Sequence, residues 1–236
     1  MDDMERYSDY NDTEDDIKDG KKSPVGIILK AVIFVVVFGV IALFAYRMII
    51  FNSYPDELEN IYFNEELSAY YEATDGDIGA LTQKLRAPYD DNKSATFLAD
   101  NLVIIEGVSQ VQCSLRYNLA IIEDINEKYS LSLTEEDTDA FTFVLTRNHE
   151  TDDKAFVQVG TLDTASHEFY AMYGGYRLVF DGVDLLRGEE GEIKWLALEI
   201  YVKGADMDEP YRICIYENHD EYSKLEPYEL SKKEHP

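Results

Sequence analysis

The stretch VSQVQCSLRYN, residues 108–118, is where the period of the chain changes. Val111, Cys113, Leu115 and Tyr117 alternate with Gln112, Ser114 and Arg116, so an extended backbone places apolar side chains on one side and polar ones on the other. That pattern predicts a strand with one face on a core. Five segments downstream read the same way: AFTFVLTRN (140–148), KAFVQVGTL (154–162), GYRLVFDGVDL (175–185), IKWLALEIYVK (193–203) and YRICIYEN (211–218). Phe141, Phe143 and Leu145 share a face in the first of these; Leu196, Leu198, Ile200 and Val202 do so in the fourth. Turn formers separate the strands in HETDDK, YGG and GADMDEP. Between the first two strands, LAIIEDINEKYSL (119–131) reads as a short helical insert.

Short alternating strands joined by such turns predict an antiparallel β-sandwich over residues 101–222. It resembles immunoglobulin-like sandwiches in architecture. The Cys…Trp…Cys arrangement of true immunoglobulin domains does not fit, however. Cys113 shares the apolar face of its strand, whereas Cys214 lies with Arg212 and Tyr216, opposite Tyr211, Ile213 and Ile215. The two sulfurs therefore point in different directions, and no disulfide is expected. Trp195 is read as a core anchor of its strand.

Upstream, residues 52–100 read as helical. Pro55 suits a first helical turn and Asp56, Glu57 and Glu59 favour its N-terminus, giving a helix over DELENIYFNEELSAYYEAT (56–74). A second helix is expected over TDGDIGALTQKLRAPYD, with Ile78, Leu81 and Leu85 at helical spacing and Pro88 ending it, and a helical turn over 94–100. Before them, residues 24–51 hold an apolar run interrupted by Lys30, about 22 residues able to cross a bilayer. No small-residue cleavage site follows it, so it reads as an uncleaved anchor rather than a signal peptide. Lys30, near one end, is placed to snorkel to the headgroups. Lys18, Lys21 and Lys22 precede the span, and Arg47 is the only basic residue after it until Lys84, which places the N-terminus in the cytoplasm and the rest outside the cell membrane. Residues 1–23, acidic and almost free of aliphatic side chains, read as a disordered cytoplasmic tail, and 223–236 as a peripheral C-terminal tail.

The fold class is thus α+β, mainly β: a single transmembrane helix, a helical segment and a β-sandwich ectodomain. The formal net charge is −27, about 24 units of it on residues 52–236. Such a surface repels nucleic acid and anionic headgroups, which excludes those partners. His167-Glu168 continues without the second histidine of a zinc helix, EGVSQVQ lacks the second glycine of a nucleophile elbow, and no phosphate-binding glycine loop is present. No catalytic residue, cofactor or metal is expected; His149, Glu150, Asp152 and Asp153 cluster without fixed ligand spacing. The distinctive stretch is HEFYAMYGGYRLVFDGVD, where Tyr170, Tyr173 and Tyr176 bracket two glycines. Aromatic side chains at a strand junction serve either as contacts for a protein or a sugar ring or as core cover, the two strands then meeting at Gly174-Gly175. The sequence therefore predicts a non-enzymatic, single-pass, extracytoplasmic interaction or assembly module of the cell envelope with a protein partner there. The alternative is a tethered carbohydrate- or cation-binding domain.

Overall fold

A computed structural model describes residues 24–52, 55–85, 97–148, 156–170, 172–183, 195–217 and 225–230. The chain divides after Asn52 into two compact units. The first contains α1, Pro24–Asn52, a helix of 29 residues. Its stretch Ile28–Ile50 is long and apolar enough to cross a membrane. Every described side chain from Ile28 to Ile49 is exposed, so this surface has no protein core to sit in.

Among the described residues the second unit holds ten strands in two sheets, all paired antiparallel. β1 (Leu81–Lys84), β2 (Phe97–Ile105), β3 (Gln110–Asn118), β6 (Thr161–Tyr170), β7 (Tyr173–Asp181) and β10 (Glu226–Pro227) form one sheet, in the order β10-β1-β2-β3-β7-β6. β4 (Phe141–Asn148), β5 (Val157–Gln158), β8 (Trp195–Val202) and β9 (Tyr211–Glu217) form the other, in the order β5-β4-β8-β9. One core joins them. Leu102, Val111, Leu115, Leu178 and Phe180 of the larger sheet meet Phe143, Leu145, Leu198, Ile200 and Ile215 of the smaller. Helix α4 (Ala120–Tyr129) adds Ile121, Ile122 and Ile125 to that core, three apolar positions on one side of an otherwise charged helix.

The segment ahead of β1 departs from the expected continuous helix. It breaks into α2 (Asp56–Glu59), an extended stretch over 60–64, and α3 (Glu65–Ala73). Asn64 forces the break: its side chain accepts from Leu67 N–H at 2.9 Å and so begins a new helix. Over the described part of its range, residues 74–85, the second expected helix is replaced as well, and its expected end at Pro88 lies outside the described residues. Asp75 (φ +53), Gly76 (φ +91) and Gly79 (φ +60) take left-handed backbone that no helix continues through, and the chain emerges as β1. β2 replaces the helical turn expected before Asp100, within the described part of that stretch. Its alternation is broken by a bulge between Ala99 and Leu102, which hides the period. β6 is a further strand, an edge one. Gly174-Gly175 lie inside β7, and the pair that closes the β6–β7 connection is Tyr170 with Tyr173.

Residues 55–73, here termed the strap, lie on the face of the larger sheet turned away from the main core. A second, smaller core forms there from Ile61 and Leu67 against Ile78, Ala80, Val103 and Ile105. Tyr228 and Leu230 pack on its margin.

Candidate functional site

The polar side of β3 is the centre of the site. Gln110, Gln112, Ser114 and Arg116 are the residues that a half-solvated strand would turn to water, yet they are only 1, 3, 2 and 8% exposed. The strap covers them, and polar groups must then find partners within the protein. Gln112 finds both main-chain groups of Tyr62. Its Oε1 accepts from Tyr62 N–H and its Nε2 donates to Tyr62 C=O, both at 2.8 Å, so one side-chain amide satisfies both main-chain groups of an extended residue. The amide also donates to Gln110 Oε1 at 2.6 Å, and Gln110 in turn donates to Asp181 Oδ1 at 2.7 Å.

Arg177, across from Ser114 on β7, donates to the Glu57 carbonyl and, at 3.1 Å, to Ser166 Oγ. Its guanidinium lies 4.8 Å above the centre of the Tyr62 ring, a cation–π contact. Asn64 Nδ2 reaches Asp163 and Asp181 at 3.3 and 3.4 Å. Two glycines complete the seat. A β-carbon on Gly175 would stand 2.5 Å from Leu58 Cδ1, and one on Gly107 would stand 2.2 Å from the Tyr70 ring, so both strap side chains rest where only hydrogen fits. Leu58, Ile61, Asn101, Gln112 and Ser114 line a half-open cavity of about 10 Å³, the space of one water. The partnerless Ser114 Oγ lines it.

At the far end of this face Arg116 pairs with Asp100. Burial pushes the Asp100 carboxyl above the usual carboxylate range, against the pull of the Arg116 hydrogen bond and charge. Beside it Tyr170 and Tyr173 are direct cross-strand partners, their rings stacked 5.7 Å apart. Tyr170 is half-buried, and burial is the main reason its phenol titrates higher than usual. Tyr176 is separated from the pair. It points to the opposite side of β7, is 1% exposed and donates to Thr138 C=O at 2.8 Å. Its ring packs against Phe143 and Tyr117. The three tyrosines therefore do not share a surface, and Tyr176 serves the core.

His167 also faces inward from the edge strand β6. Its Nε2 lies 2.9 Å from Tyr117 OH, and its ring is 4.3 Å from both Phe169 and Tyr176. Burial pulls the imidazole down to about 4. Cys113 and Cys214 are free, and burial raises their thiols to about 12 and about 11. The His149 cluster lies outside the described residues. On the smaller sheet, Glu199 is buried on the outer face, held by Arg212 at 2.6 and 2.9 Å and by Tyr201 OH at 2.9 Å. Around it Thr142, Tyr201 and Arg212 are exposed, and the Arg212 guanidinium lies 4.2 Å from the centre of the Phe156 ring.

Sequence reasoning singled out Tyr170 and Tyr173, which the structure places side by side, but missed the strap's seat. The signal was present in VQCSLRY: Gln112, Ser114 and Arg116 are long or hydrogen-bonding residues suited to holding a second layer. Nothing in their spacing distinguishes that use from solvation. No family model matches the chain, and neither curated proteins nor solved structures give a match.

Proposed function

We propose that the protein is a non-enzymatic, single-pass membrane protein whose β-rich domain lies outside the cytoplasm and acts as an interaction or assembly module of the cell envelope. The observation that carries this reading is one chain that joins a helix able to cross a membrane, Ile28–Ile50, to a domain with immunoglobulin-like strand order. In that order β2, β3, β7 and β6 take the places of strands A, B, E and D, and β5, β4, β8 and β9 those of C′, C, F and G. The two sheets then make a sandwich, with β1 and β10 added beyond strand A.

Cys113 sits on the B strand, but Cys214 lies on the G strand rather than the F strand, so the bridge of antibody domains has no second partner. Orientation is argued from Lys18, Lys21 and Lys22 ahead of the span. Architecture alone selects no function. What favours protein contact is the outer face of the smaller sheet, where Tyr201 (36% exposed) and Phe156, its ring 4.2 Å from the Arg212 guanidinium, flank the Arg212–Glu199 pair. Aromatic, apolar and arginine side chains in that proximity are the composition of a contact centre.

The test is in-cell crosslinking of the full-length protein through a C-terminal tag, with identification of what travels with it. A discrete heavy complex that shrinks in a Tyr201→Ala, Arg212→Ala variant is the expected result. A monomer under all crosslinking conditions overturns the assembly reading.

A further inference from the structure

We infer that the outer face of the larger sheet is a groove for an extended peptide, and that its exchangeable occupant is the strap of a second copy of this chain. The inference rests on the assembly reading above and names one partner for it. Three observations carry it. The groove reads main chain: Gln112 takes both the N–H and the C=O of Tyr62. Such two-point recognition is what a site for an extended segment needs. The seats for side chains are preformed as well, Gly175 under Leu58 and Gly107 under Tyr70, so any strap entering must carry those residues at that separation. A second copy does.

The floor of the groove is also suited to being emptied. Gln110, Gln112, Ser114, Arg116 and Arg177 can all be hydrated when the strap leaves, whereas the apolar patch of Val103 and Ile105 favours its return. The joint between strap and sheet is a tight turn. Gly76 N–H bonds Tyr71 C=O at 2.9 Å, and Asp75, Gly76 and Gly79 are left-handed. A turn that holds a non-glycine residue in that region relaxes when it opens, and such hinges favour exchange of an element between identical chains. Chains held in one membrane meet at raised effective concentration. The opposing term is charge, since each copy carries the same strong excess of acid. Exchange is therefore expected to increase with salt.

Glu57 and Ser166 both touch Arg177 and thus mark the two sides of the seat. Two full-length chains with different tags, one Glu57→Cys and one Ser166→Cys, both in a Cys214→Ser background, are co-expressed and treated in their membranes with a short bis-maleimide. The double variant on one chain serves as the reference for docking within a molecule. The expected result is a mixed-tag product whose yield rises severalfold between low and high salt, and again with Gly76→Val, which penalises the closed turn. Crosslinking confined to the single chain at every salt, with the native hinge and with Gly76→Val alike, overturns the exchange. The native-hinge chains decide the matter if Gly76→Val does not fold. If heavy complexes form through the C-terminal tag without any mixed strap product, assembly stands and the groove proposal fails. If neither forms, both fail.

Discussion

A β-carbon at Gly174 would stand 2.3 Å from Tyr117 Cζ, and the Tyr117 ring cannot retreat, because Phe97, Phe141 and Tyr176 surround it. Gly174→Ala is therefore expected to destabilise the domain by about 3 kcal/mol, read as a lower denaturant midpoint. Gly175→Ala, one residue on and facing the other way, meets only the end of Leu58. It is expected to cost about 1 kcal/mol and to loosen the strap while leaving the midpoint of the sheets nearly unchanged. Equal losses from the two variants would show that the strap and sheets unfold as one. His167 adds a pH dependence. Its imidazole titrates near 4 when folded, below its ordinary value of about 6.5, so on acidification the unfolded chain takes up the proton first. The stability this group contributes is complete above pH 6.5 and is lost as the pH falls towards 4. Wild type should thus weaken more steeply over that window than His167→Phe, and parallel stability curves would contradict the burial argument.

At the scale of elements, the strap is held by few but specific contacts. Gln112→Leu keeps the volume and removes the amide, stranding Tyr62 N–H and C=O beneath α2 and α3, at a cost of about 2 kcal/mol. Hydrogen exchange should then accelerate at the amides of 62–73 and stay slow in β8, whose core residues Leu196, Leu198 and Ile200 are fully buried. Uniform acceleration would mean that the strap is part of the main cooperative unit. The same contacts explain which elements the sequence revealed. β3, β4, β7, β8 and β9 were legible because apolar alternation on one face is a strand's own signal. α4 was legible from Ile121, Ile122 and Ile125. Of β6 only the end, HEFY, was legible as one of two strands near Gly174-Gly175, since an edge strand such as TLDTASHEFY has polar residues on both faces and depends on β7 for its pairing. β2 was obscured by its bulge at Asp100-Asn101, and the stretch opened at 60–64 by the Asn64 cap has its main-chain groups at Tyr62 met by a glutamine fifty residues away. These are tertiary decisions, outside the reach of local periodicity.

For the whole molecule, the proposed span and the charge distribution together predict what can be reached from each side of a membrane. Lys18, Lys21 and Lys22 ahead of α1 favour retention of the N-terminus in the cytoplasm, and Arg47 alone opposes them at the other end. Labelling of thiols in intact cells tests the orientation, and the native cysteines leave a low background. Cys113 is buried with its thiol pushed up to about 12, and Cys214 is raised to about 11, so little thiolate exists at neutral pH in either. A membrane-impermeant maleimide should therefore react with Glu135→Cys, at an exposed position after α4, in intact cells. Ser8→Cys, ahead of the span, should react only after the membrane is opened. The reverse pattern would place the acidic domain in the cytoplasm, where the excess of basic residues before the span would have failed to direct insertion. Reaction of both sites in intact cells, with the protein released by alkaline carbonate, would instead mean that α1 does not hold the chain in the bilayer.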